Sequence, residues 1–130
     1  MKKTVLMTLI LLAGFTFSAF QSSPNHSVEK AIIKWENTSI ELGKIEHNKP
    51  KQITFKFTNK GELPLVITRV KPSCGCTVAS YPKEPIAPGE TKEIKATYNA
   101  SAKGAFNKVV TVYSNTDPEV QILRFTGEVI

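Results

Sequence analysis

Both cysteines of this 130-residue chain fall in one stretch, Lys71-Pro72-Ser73-Cys74-Gly75-Cys76-Thr77, on either side of a single glycine. Sulfurs at that spacing have three chemistries open to them: a local disulfide, exchange with an outside thiol, or capture of a soft metal ion. In a regular strand Cys74 and Cys76 would share a face about 6–7 Å apart, beyond the roughly 3.5–4.5 Å that a disulfide needs between β-carbons. A bridge therefore requires a tight bend. Gly75 permits one, because a residue without Cβ reaches backbone angles closed to others. A bond across so small a loop gains little chain entropy and is reduced more readily than an ordinary structural bridge. An oxidising compartment nonetheless drives it to form.

The two other chemistries have less support. No histidine adjoins the pair to activate a thiolate, and the common C-x-x-C spacing of exchange motifs is absent. Two thiolates can chelate copper(I) or zinc, but a closed zinc site wants four ligands. His26 lies in a polar stretch and His47 in a turn, without a ligand spacing, and both read as solvated surface histidines. Met1 and Met7 sit at the extreme N-terminus. The leading expectation is a Cys74–Cys76 disulfide with no catalytic residues, no cofactor and no metal; the alternative is a small thiol-redox or copper- or zinc-handling protein using Cys74 and Cys76.

Other catalytic signals are missing. The sequence has no G-x-S-x-G elbow, no phosphate loop and no metalloprotease helix. Asp117, the only aspartate, precedes Pro118 and reads as an Asx turn. Tyr81, Tyr98 and Tyr113 read as strand aromatics of a core. An enzyme is not expected.

The elements that must position the cysteines alternate with a period of two. Gln52 to Thr58 puts Ile53, Phe55 and Phe57 on one face and Thr54, Lys56 and Thr58 on the other. Ile32 to Glu36, with Trp35 as a core anchor, and Ser39 to Ile45 form the opening strands. Asn59-Lys60-Gly61-Glu62 turns the chain, with Gly61 able to take a positive φ. Leu63 to Val70 places Leu65 and Ile67 inward and Val66 and Val70 outward. Thr77 to Tyr81 follows the cysteines, and Ala87-Pro88-Gly89-Glu90 fits a type II turn. Thr91 to Asn99 turns Ile94, Ala96 and Tyr98 inward. Val109, Val110 and Val112 suggest a central strand packed on both faces between Phe106 and Ser114. Val120 to Ile130 closes with Leu123, Phe125 and Val129 on one side. Seven or eight short strands without a long amphipathic helix predict an all-β, immunoglobulin-like antiparallel β-sandwich. Both sulfurs lie in one loop, so no bridge can pin the two sheets, and the core must hold by apolar packing.

Ahead of this domain, Lys2 and Lys3 precede an apolar run from Val5 to Phe17 with small residues at Ser18 and Ala19, the layout of a secretory signal. The run is shorter than the roughly 20 apolar residues of a spanning helix. The division is a signal peptide over 1–19, preceding as a signal helix a linker over 20–31 and the sandwich over 32–130. The membrane is met only through the signal segment if it stays uncleaved, and the mature protein is expected to be periplasmic or secreted. Lys2 and Lys3 leave with the signal, lowering the formal net charge from +6 to +4. Arg69 and Arg124 are the only arginines, and the lysines are dispersed, which argues against a nucleic-acid partner. With 41% hydrophobic and 22% charged residues, the composition is that of a chain that buries a core.

Phe57-Thr58-Asn59-Lys60-Gly61-Glu62-Leu63-Pro64-Leu65-Val66-Ile67, then Ser73-Cys74-Gly75-Cys76-Thr77, Pro85-Ile86-Ala87-Pro88-Gly89-Glu90 and Phe125-Thr126-Gly127-Glu128-Val129 carry a resemblance. Together they resemble a bacterial domain-of-unknown-function family, number fifteen-seventy-three, related to the immunoglobulin-like domains of the abnormal-spindle, Hydin and major-sperm-protein group. The resemblance runs from about Trp35 to the end, with Cys-Gly-Cys-Thr its most specific part. It implies an exported immunoglobulin-like module without established activity. The resulting functional expectation is a non-catalytic binding or structural module of the cell envelope, whose partner is an unknown protein or peptide met through a sheet edge or end loops.

Overall fold

The computed structural model describes residues 29–130. The expected signal peptide, most of the linker and His26 lie outside the described residues. Eight strands follow in order: β1 (Ile33–Trp35), β2 (Ser39–Ile45), β3 (Lys51–Asn59), β4 (Ile67–Pro72), β5 (Thr77–Ser80), β6 (Thr91–Tyr98), β7 (Gly104–Ser114) and β8 (Val120–Val129). They form two four-stranded sheets, β1-β3-β6-β5 and β2-β8-β7-β4. This is the expected immunoglobulin-like sandwich. Every pairing is antiparallel except β2 on β8, which runs parallel because the chain passes from the edge of the first sheet to the edge of the second between Trp35 and Ser39.

The core is the inward half of the alternating pattern. Ile53, Phe55 and Phe57 of β3, Ile94, Ala96 and Tyr98 of β6, Val110 and Val112 of β7, and Leu123, Phe125 and Val129 of β8 are buried. Burying a large apolar side chain contributes about 1.5–3 kcal/mol, so this layer holds the sheets without a bridge between them. Tyr98, Phe106 and Phe125 form an aromatic cluster, with ring centroids 4.6, 5.9 and 6.2 Å apart. The turn at Gly89 has φ +83°, and Glu90 N–H donates to the Ala87 carbonyl at 3.0 Å, as a type II turn requires.

Several finer expectations are corrected. Trp35 packs against the core but is only half-buried, its ring 5.1 Å from that of Phe57, with a buried Nε1 that has no hydrogen-bond partner among the described residues. Val70 packs against the core instead of facing out, because the β4–β7 register shifts between Ile67 and Arg69 and the extra residue inverts the alternation beyond it. β7 buries one face only: Val110 and Val112 are buried, whereas Val109 stays half-exposed on the outer face. Gly61 does not use a positive φ; a Cβ there would come within 2.9 Å of the Ile32 backbone nitrogen, so close approach is what demands glycine. The turn at Asp117 is tied by Thr116, whose buried hydroxyl donates to the Pro118 carbonyl at 2.8 Å, and not by an Asp117 side-chain bond. His47 is half-buried, with Nε2 3.1 Å from the Ser101 carbonyl, which accepts a hydrogen bond from it.

Candidate functional site

The cysteine turn is the place where the chain crosses from the second sheet to the first. β4 ends at Pro72, which has no N–H to donate. Ser73 then takes over the ladder: its N–H donates to the Val109 carbonyl at 2.8 Å, and its Oγ accepts from Val109 N–H at 3.2 Å. Beyond the turn, the Cys76 carbonyl accepts from Asn99 N–H at 2.9 Å and opens the β5–β6 ladder. Only Cys74 and Gly75 separate the last tie to one sheet, at Ser73, from the first tie to the other, at Cys76.

The two cysteine Cα atoms are 5.2 Å apart, with the sulfurs within bonding distance. Both side chains are half-buried, and that of Cys76 packs against the core. Buried Thr77 underlies them, its Oγ1 3.9 Å from each sulfur, and its N–H donates to the Cys74 carbonyl at 3.4 Å. Gly75 lies outside the left-handed region, and a Cβ on it would meet open space. The bend is therefore made without the special backbone freedom expected of Gly75. Among the described residues no three His, Cys, Asp or Glu side chains gather, at Cys74 and Cys76 or elsewhere.

The strand that leaves this turn carries a second feature. Since Cys76 and Asn99 are a hydrogen-bonded pair, alternation makes Val78–Thr97 and Ser80–Lys95 the next bonded pairs. Ala79 therefore directs both its N–H and its C=O away from β6, off the free edge of the sheet. Neither has a partner among the described residues. Val78, pointing outward, is 71% exposed, the most exposed large apolar side chain described.

Beside this edge, on the outer face, lies a groove of about 570 Å³ whose lining includes Lys56, Ser80, Tyr81, Lys92, Glu93 and Lys95. Glu93 is engaged with Lys95 at 3.0 Å. Lys83 places its ammonium 3.3 Å from the centroid of the Tyr81 ring, adding another cation at the groove's end. Tyr98 is buried in the core and half-buried Tyr81 packs against it while walling the groove, whereas Tyr113 is half-buried beneath Arg69 on the outer face of the other sheet. The groove was invisible along the chain because it is assembled by register, which sets Lys56 beside Glu93 across β3–β6 and Ser80 beside Lys95 across β5–β6. One signal was present: Thr77–Ser80 is a strand without a charge or a proline.

The described fold has relatives among solved structures. A protein of unknown function from Porphyromonas gingivalis W83 is 13% identical, with TM-score 0.69 over 78% of this chain and 48% of that one, so the chain spans about half its length. The ASH/PapD-like domain 7 of human CEP192 is 13% identical with TM-score 0.60, covering 83% of this chain and 96% of that domain. The YadV chaperone is 17% identical with TM-score 0.56, covering 75% and 51% respectively. These likenesses concern the fold. No curated protein matches the chain. Residues 33–129, which include the cysteine turn and both sheets, match the family model described as protein of unknown function (DUF1573), and the chain belongs to that family.

Proposed function

We propose that the protein is a non-catalytic binding module of the cell envelope that recruits another protein. The observation that carries this reading is β5, an edge strand whose backbone groups at Ala79 have no partner among the described residues and whose Val78 is exposed. Such edges are where sheets accept a further strand, and native proteins usually block them. The likeness to a protein described as a chaperone supports the same reading. Export rests on Lys2, Lys3 and the apolar run Val5 to Phe17, and places the module in the periplasm or outside the cell. There Cys74 and Cys76 form a local disulfide that fastens the crossover and leads β5 out of it.

The reading is tested in the native host with a photoreactive amino acid in place of Val78, Ile122 or Lys34, one site at a time. Illumination is expected to give a discrete protein adduct from at least one site. Absence of an adduct from all three would overturn it. Intact mass of the exported protein checks the disulfide: before reduction it should fall short of the dithiol by two hydrogens.

A further inference from the structure

We infer that the free edge of β5, together with the lysine groove beside it, binds an extended peptide segment that carries an apolar and an acidic residue two positions apart, on one face of the strand it forms. The inference rests on the binding-module reading and names its site and ligand class.

The other sheet edges are blocked. β1 has three residues, with Lys34 in the middle. β2 carries Lys44, and its register with β8 breaks between Glu41 and Lys44, where Gly43 has φ +68°. β4 carries a register shift, then Arg69, Lys71 and Pro72. Charges, irregularities and prolines are the devices that prevent strand addition. β5, with sequence Thr-Val-Ala-Ser and unbroken register, has none of them.

A strand added along β5 would exchange its main-chain bonds with the N–H and C=O of Ala79. Its neighbouring residues would then project on the outer face beside Val78 and Ser80. Beside Val78 the fitting side chain is apolar. Beside Ser80 it reaches the groove, whose lining has three lysines, Lys56, Lys92 and Lys95, against one glutamate, Glu93, which Lys95 already engages. A carboxylate is the complementary group there, and a lysine is repelled.

The test uses two blocked peptides of equal length, one repeating Val-Thr-Glu-Thr and one repeating Val-Thr-Lys-Thr, so that valine and the charged residue share one face, with amide hydrogen exchange of the full-length protein as readout. The acidic peptide is expected to slow exchange at Ala79 and to bind about tenfold or more tightly than the basic one. Ala79→Pro removes the edge donor without removing a bond to β6 and should abolish the protection. Lys56→Glu with Lys92→Glu should reverse the preference, and decides the matter even if the proline variant does not fold. No protection at Ala79, equal binding of both peptides, or full binding by a folded Ala79→Pro variant would overturn the inference. Photo-adducts from Ile122 but none from Val78 would sink the edge while leaving the binding module standing. Absence of adducts everywhere would sink both.

Discussion

Asn59 carries more of the architecture than its place in a turn suggested. It is fully buried; its Nδ2 donates to the carbonyls of Leu63 at 2.7 Å and Ile86 at 3.0 Å, while its Oδ1 accepts from Gly61 N–H at 3.0 Å. One amide thereby ties three loop groups, of which the Ile86 carbonyl also accepts from Leu65 N–H at 2.9 Å. Asn59→Leu is expected to lower stability by about 2–3 kcal/mol or more, measured by urea denaturation; a loss well below 1 kcal/mol would show that water replaces those bonds. The two corrected glycines separate in the same assay. Gly61→Ala drives a Cβ into the Ile32 backbone and should cost on the order of 1–3 kcal/mol, whereas Gly75→Ala meets open space and should change stability by less than about 0.5 kcal/mol. Side-chain identity alone could not distinguish these glycines. Gly61 answers to Ile32, which arrives from a distant part of the chain.

Among the elements, β3 and β6 were legible because each obeys a strict alternation and both pack one face on the core; Phe55 and Ile94 sit opposite each other in the resulting ladder. β4 was not, since one extra residue near Thr68 moves Val70 to the other face, and a bulge has no marker in apolar periodicity. The parallel partnership of β2 with β8 joins Ile40 to Phe125 across most of the chain, a choice made by packing rather than by local sequence. The cysteine turn was legible as a bend and a close sulfur pair, but its role as the link between sheets emerges only from Ser73 bonding to Val109 and Cys76 to Asn99. Loop closure over so short a span is worth about 1–2 kcal/mol in the chain-entropy account. Cys74→Ser with Cys76→Ser should therefore lower stability by no more than that, with the strands retained in far-ultraviolet circular dichroism. Loss of folding would show that the pair anchors the sandwich itself.

At the scale of the molecule, two sheets close over an apolar layer without a bridge between them, leaving Ala79 and Val78 at an open margin. Phe55, fully buried between the sheets, is a direct probe of that layer. Phe55→Ala should cost about 3–5 kcal/mol and lower the thermal midpoint cooperatively. The central claim is that the protein acts by holding a partner, with sulfur chemistry serving only to fasten a turn. The most direct measurement is the yield of photo-adduct from position 78 in the native host, compared between the parent and the Cys74→Ser, Cys76→Ser variant. The account predicts that the same adduct forms in comparable yield in both. An adduct abolished in the folded variant, together with disulfide exchange or copper(I) retention present only in the parent, would contradict it.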